Sequence, residues 1–241
     1  MLSFNNLAIE VTRRCNMSCP HCMRGDAQNK DITHEVIDRL FENVSGIGSI
    51  VFTGGEPTLN IDAILYVLEV CKKRDIPAES FYLVTNGKEV SDDFLIACIR
   101  WYAYVADCNG ELDMCGVALS TDIFHEPING VNLFKLKALS FFRESDKAVD
   151  WTKTPLQDIG RAKTLQAPVK KEPSWTISKS DFPQYVSAYE NELVFEEVVS
   201  VTVNGDVLCG CDYSYDDTEN IKIGSVFDPN WADQYRVKGV A

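Results

Sequence analysis

Apolar residues along the chain come in short continuous runs that alternate with stretches of helical spacing. Residues 7–12 form the first run, and the polar segment 13–30, with several Cys and Arg, predicts a loop after it. Thr33 or Asp31 is placed to cap a helix over 34–44, where Val36, Ile37, Leu40, Phe41 and Val44 recur at helical spacing. Residues 49–53 predict a buried strand stopped by Gly54-Gly55, and Ile61, Ile64, Leu65, Leu68 and Val70 predict a helix over 60–73. The cycle returns with strand 81–85, a turn at Asn86-Gly87 and helix 91–105, then with strand 115–121 and a helix near 131–142. A further strand is expected at 148–151, whereas 152–183, rich in Pro, Lys and Thr, carries no clear period. Apolar strands separated by helices predict a parallel sheet with covered faces.

The end of the chain is patterned differently. Residues 198–203 and 207–210 flank Asn204-Gly205, which predicts an antiparallel hairpin with a type I′ turn, and 221–226 adds one more strand. The expectation is an α/β body over residues 1–185 with a small C-terminal antiparallel β appendage over 186–241.

Composition narrows the setting. A chain of 241 residues can bury a sizeable core, and 45% hydrophobic with 24% charged residues is ordinary for a globular protein. A formal net charge of −13 argues against nucleic acid as a partner, since the phosphates would be repelled. The first residues lack the pattern of a signal peptide, and no apolar run approaches the roughly 18 residues that cross a bilayer. A cytoplasmic protein without a membrane partner is expected. Nine cysteines in a reducing compartment are then thiols or metal ligands, with Cys71 and Cys98 placed in predicted helices as core thiols.

Three of the nine stand together, in Cys15-Asn16-Met17-Ser18-Cys19-Pro20-His21-Cys22, directly after the first predicted strand. Three closely spaced thiolates match three irons of a cubane and leave the fourth iron without a protein ligand. A zinc site built from Cys19, Cys22, Cys209 and Cys211 is the competing arrangement. A second motif, Thr53-Gly54-Gly55-Glu56-Pro57, lies one strand–helix unit later, at the end of a strand. Paired glycines permit close backbone approach, and the carboxylate can accept charge-assisted hydrogen bonds from an ammonium group.

The two motifs together resemble the signature of the radical S-adenosylmethionine (SAM) superfamily. That resemblance implies a partial (β/α)6 TIM-like barrel, with SAM lying across the C-terminal ends of the strands. It implies one [4Fe–4S] cluster on Cys15, Cys19 and Cys22, and a SAM amino group bound at Gly54, Gly55 and Glu56. His21 would neighbour the adenine, and Asn86 would contact SAM or substrate. Ser120 and Asp122 would meet the ribose hydroxyls or methionine carboxylate, and Arg161 would pair with a carboxylate. Residues 203–212 and 223–226 resemble part of a SPASM domain, but with too few cysteines for a second cluster to be expected. The activity implied is reductive cleavage of SAM to a 5′-deoxyadenosyl radical that takes a hydrogen atom from a substrate. A peptide or protein substrate is expected from Gly160-Arg161-Ala162 and the SPASM-like end. A small-molecule substrate (nucleoside, sugar or cofactor precursor) is the alternative, and a non-catalytic iron–sulfur or zinc protein is the third. Flavodoxin or ferredoxin is the expected electron donor, steered by Arg13, Arg14 and Arg24 around the cysteine loop.

Overall fold

The structure is a computed structural model and describes residues 1–122, 124–143, 156–165, 171–172 and 177–238. Its elements run β1 (Leu2–Thr12), α1 (His34–Leu40), β2 (Val44–Gly54), α2 (Ile61–Arg74), β3 (Ala78–Thr85), α3 (Asp92–Asp107), β4 (Gly116–Leu119), α4 (Gly130–Lys137) and β5 (Phe142–Arg143). There follow β6 (Leu156–Gln157), β7 (Lys171–Glu172), β8 (Val186–Ala188), β9 (Leu193–Val201), β10 (Asp206–Cys209) and β11 (Lys222–Ser225).

The helices begin where a short polar side chain can take the free N–H groups of the first turn. Thr33, Asn60, Ser91 and Asn129 accept from Val36, Ala63, Phe94 and Asn132 respectively. Of the two candidates for the first cap, Thr33 is therefore the one used. α2 ends on Lys72, Lys73 and Arg74, opposite in sign to the helix C-terminus, with Asp75 left-handed after them. The apolar faces of α2 and α3 close over the sheet, with the buried Trp101 ring against Phe52 and Phe81 and its Nε1 donating to Ile64 O at 3.0 Å.

One sheet runs β11-β10-β9-β1-β2-β3-β4-β5, with β8 paired to β9, and it does not close. β1 lies between β2 and β9 and is parallel to both, which explains its nearly continuous burial from Leu7 to Thr12. The parallel α/β sheet is as the sequence predicts. The expected hairpin joins β9 to β10 antiparallel, but β9 also extends the main sheet on the far side of β1. Its turn is not type I′, which needs positive φ at two successive residues. Here only Gly205 has it, at φ 80, while Gly205 N donates to Thr202 O and Thr202 N to Asp206 O. This is a type I turn closed by a glycine bulge, and it leaves Asn204 in ordinary backbone.

α4 is shorter than the helix expected over 131–142: it stops at Lys137, and Phe142–Arg143 pairs with β4 as the edge strand. The strand expected at 148–151 lies outside the described residues.

Candidate active site

The C-terminal ends of β1 to β4 all open on one side of the sheet, the usual place for a site in parallel α/β folds. A cavity of ≈ 560 Å³ lies there. Its wall includes Cys15, Cys19 and Cys22 from the loop after β1, Gly54, Gly55 and Glu56 after β2, Asn86 after β3, and Ser120 after β4. His21 and Arg161 complete the set of expected residues that reach it. Asp122 stays just behind, with Oδ2 at 3.4 Å from His21 Nε2 and 2.6 Å from His125 Nδ1.

The ends of β1 and β2 come unusually close. Gly55 N donates to Thr12 O and Glu56 N to Arg14 O, both at 2.8 Å. A Cβ on Gly54 would stand 2.1 Å from Thr12 O, and one on Gly55 2.2 Å from Arg14 O. In this structure the two glycines therefore admit the neighbouring strand end and set the cysteine loop against the β2 turn. Gly54, at φ +148, also holds a conformation that favours glycine.

Glu56 is only 2% exposed. Its Oε1 accepts from Thr58 Oγ1 (2.8 Å), Thr85 Oγ1 (2.7 Å) and Thr58 N (3.3 Å), and its Oε2 accepts from Asn86 N (2.9 Å). Burial pushes the carboxyl above its ordinary value, and these hydrogen bonds pull against that. One carboxylate thus joins the ends of β2 and β3, while Oε2 keeps acceptor capacity for a further donor. Asn86 continues the link, its Nδ2 donating to Asn16 Oδ1 inside the cysteine loop at 2.8 Å.

Burial pushes the Cys19 thiol up to about 11, with Cys15, Cys22 and Asp122 adding to the shift and Arg161 opposing it. Cys15 is also raised, mainly by burial. Cys209 lies apart from this group: it is buried in the core, its Sγ 3.4 Å from Ile177 O and 3.3 Å from Ile221 O. Cys211 Sγ lies 3.8 Å from Asp212 Oδ1. Among the described residues, the metal-ligand set that closes to within 4.8 Å is His21, Asp122 and His125, and the three loop thiols are not part of it. Three thiols on one cavity wall, with Cys209 buried apart from them, are the donor set of a cubane with one open iron rather than of a four-thiolate zinc. Burial lowers the pKa of His21, and its ring stacks on Phe124 with centroids 4.6 Å apart.

The far wall comes from residues that no motif announced: Leu156, Gln157 and Tyr215. Tyr215 is 8% exposed and its hydroxyl is buried without a hydrogen-bond partner, as are Gln157 Oε1 and Arg161 Nε. All three belong to residues of the cavity wall, but the unpaired atoms themselves are closed off from it. Burial pushes the Tyr215 hydroxyl up, so it stays a donor at neutral pH. Tyr215 sits under the Arg13 guanidinium, 4.5 Å from ring centroid to Cζ. The alternation Tyr213, Tyr215 just after Cys211 is the only sequence signal that pointed to it.

The arginines expected to steer an electron donor do not form a surface. Arg13 and Arg24 are 5% and 7% exposed. Arg13 Nε bonds Glu10 Oε2 at 3.0 Å, and Arg24 NH1 bonds the carbonyls of Cys211 and Tyr213 at 2.8 and 2.9 Å. Arg14 alone is partly open, and it binds Asp31 Oδ1 at 2.9 Å and Leu59 O at 2.5 Å. The excess of arginine in the loop is spent on internal carboxylates and carbonyls.

The parallel α/β sheet thus brings three thiols and a buried glutamate to one cavity at its strand ends. Residues 9–125 match the family model described as the radical SAM superfamily. That stretch, just under half of the chain, is a radical SAM domain, and the members of that superfamily use a [4Fe–4S] cluster and SAM. Among curated proteins it is 31% identical over 144 residues to an S-adenosylmethionine-dependent nucleotide dehydratase from Flammeovirga pacifica, covering 52% of this chain and 47% of that one. It is 32% identical over 132 residues to a GTP 3′,8-cyclase from Mesorhizobium japonicum, covering 50% and 36%. The chain thus spans less than half the length of these relatives. Among solved structures, Streptococcus suis SuiB bound to precursor peptide SuiA aligns with a TM-score of 0.46 at 13% identity, over 98% of this chain and 65% of that one. No helix among the described residues is long and apolar enough to cross a membrane.

Proposed function

We propose that the chain is a radical SAM enzyme that acts on a neutral, amide-bearing substrate, a peptide or a protein segment. The observation that carries the first half is the convergence of Cys15, Cys19 and Cys22 with Gly54–Glu56 on one cavity. When bound there, the cluster supplies one electron to the sulfonium of SAM, giving methionine and a 5′-deoxyadenosyl radical that takes a hydrogen atom from substrate. The chain's own residues do the holding. Cys15, Cys19 and Cys22 ligate the cluster, and Glu56 Oε2 accepts from the SAM ammonium. His21, Asn86 and Ser120 border the nucleoside, with Asp122 behind His21. Leu156, Gln157 and Tyr215 close the opposite side and keep water from the reacting carbon.

The choice of substrate class rests on charge. Among the described residues every arginine at the cavity is already engaged: Arg13 by Glu10 and Gln28, Arg24 by two carbonyls, Arg161 by Ser18 and Asp26. Beside them the wall offers the uncharged side chains of Leu156, Gln157 and Tyr215. An uncharged wall of amide, phenol and aliphatic side chains suits an amide better than a phosphate. The curated relatives named for nucleotide chemistry favour the second reading, a nucleotide substrate.

The test is anaerobic reconstitution with iron and sulfide, then dithionite and SAM, with 5′-deoxyadenosine followed by chromatography. About four irons per chain and 5′-deoxyadenosine are expected, both lost in Cys19→Ala. Bound zinc with intact SAM would overturn the reading.

A further inference from the structure

The third cysteine of the loop is held from outside the loop. Cys22 opens a turn in which Gly25 N donates to Cys22 O at 3.3 Å, with Gly25 at φ 91 and Arg24 in the middle of the turn. Both ends of Arg24 are then fixed by the segment just past β10. Its backbone carbonyl accepts from Tyr215 N at 3.0 Å, and its NH1 donates to Cys211 O and Tyr213 O. The guanidinium lies over the Tyr213 ring, 3.8 Å from its centroid. Tyr213 is 1% exposed and its hydroxyl reaches Glu10 Oε1 at 3.3 Å, on the strand that leads into the cysteine loop.

We propose that Arg24 is a positioning residue for the iron–sulfur cluster, tying the third thiolate to residues 211–215 so that the C-terminal segment forms part of the cluster site. The proposal rests on the reading that Cys15, Cys19 and Cys22 ligate the cluster. Side chains outside the ligand set that orient a ligand shape both affinity and electronic character of the metal. Arg24 does both: it fixes the turn that carries Cys22, and it places a permanent, desolvated positive charge two residues from that ligand. A positive charge in a buried site favours the more negative, reduced state of the cluster. The stack on Tyr213 adds the face that a guanidinium, unlike an ammonium, can use.

The experiment uses the reconstituted full chain and reads two quantities other than turnover: the rate of iron release to an excess of a ferrous chelator, and the midpoint potential of the cluster. Arg24→Met is expected to release iron about tenfold faster and to shift the midpoint to a more negative potential. Tyr213→Leu, which removes the stacking face, is expected to move both quantities in the same directions. Tyr213→Phe keeps the face and loses only the hydroxyl, and is expected to match the wild type. A residue that merely stabilised the fold would lower the melting temperature and leave the potential in place.

If Arg24→Met does not fold, the Tyr213 pair decides the same question. Wild-type release and potential in Arg24→Met, or in Tyr213→Leu where the former does not fold, would overturn the proposal. Equal behaviour of Tyr213→Phe and Tyr213→Leu would do the same. A wild-type chain that takes up no iron under these conditions would instead overturn the cysteine reading, and this proposal with it.

Discussion

The Glu56 carboxylate takes hydrogen bonds from Thr58, Thr85 and Asn86 and is almost wholly buried, so a lost bond is poorly replaced by water. Glu56→Gln keeps the shape but turns one acceptor oxygen into an N–H donor facing donors. A loss of about 1–3 kcal/mol in unfolding free energy is expected at neutral pH. The pH dependence of that loss follows from the raised carboxyl. With its folded value above the unfolded value of 4.5, the folded chain keeps the proton longer. The stability this adds is fully present below 4.5 and disappears as pH rises through the folded value. In Glu56→Gln nothing titrates at this site. The advantage of wild type over the variant is therefore largest at the acid end and shrinks on the way to neutrality. Urea unfolding of both proteins at several pH values between 4.5 and 7 measures it, and an advantage that grows with pH would show that the hydrogen bonds outweigh burial.

Connections between elements carry as much of the site as the elements do, and Gly160 shows it. Its φ is +56, and a Cβ there would stand 2.1 Å from Met23 O and 2.6 Å from Cys22 O, while Arg161 N donates to Cys22 O at 2.9 Å. Gly160→Ala cannot keep this contact without moving one backbone against the other. It is expected to lower the iron content after reconstitution and to lower the melting temperature. Gly130→Ala, in open space, is the control and is expected to change neither. A Gly160→Ala protein that loads and melts as wild type would show that the 160–161 segment does not support the cysteine loop. The difference between Gly160 and the cysteines is also the difference between what local pattern reveals and what it does not. β1 to β4, α1 to α3 and both motifs lie within single runs of sequence, where hydrophobic period, caps and residue type are sufficient. The parallel pairing of β9 with β1, the engagement of Arg24 by residues 211–215 and the place of Tyr215 in the cavity wall join positions far apart in the chain. No periodicity encodes such meetings. The type I turn at 202–205 was misread for a smaller reason: Asn-Gly suits two turn geometries, and the register of β9 against β10 selects between them.

At the scale of the whole molecule, a net charge of −13 surrounds a cavity whose arginines are hydrogen-bonded within the protein. A nucleoside triphosphate approaching it meets repulsion at long range and, at the cavity, guanidinium groups that already hydrogen-bond within the protein. A neutral peptide segment meets neither obstacle, and the far wall it would meet at Leu156, Gln157 and Tyr215 is uncharged. GTP and CTP added to the reconstituted enzyme are therefore expected to leave the rate of 5′-deoxyadenosine formation within about twofold of SAM alone. An acceleration of about tenfold by either, equivalent to ~1.4 kcal/mol off the barrier, would transfer the substrate assignment to nucleotides. It would also mean that one of the three arginine pairs opens on binding. Arg161 is then the residue to examine, because its contact with Asp26, at 3.5 Å, is the longest of the arginine contacts at the cavity. Arg161→Gln would abolish such an acceleration while leaving the buried pairs of Arg13 and Arg24 intact, so the same assay identifies both the substrate class and the side chain that admits it.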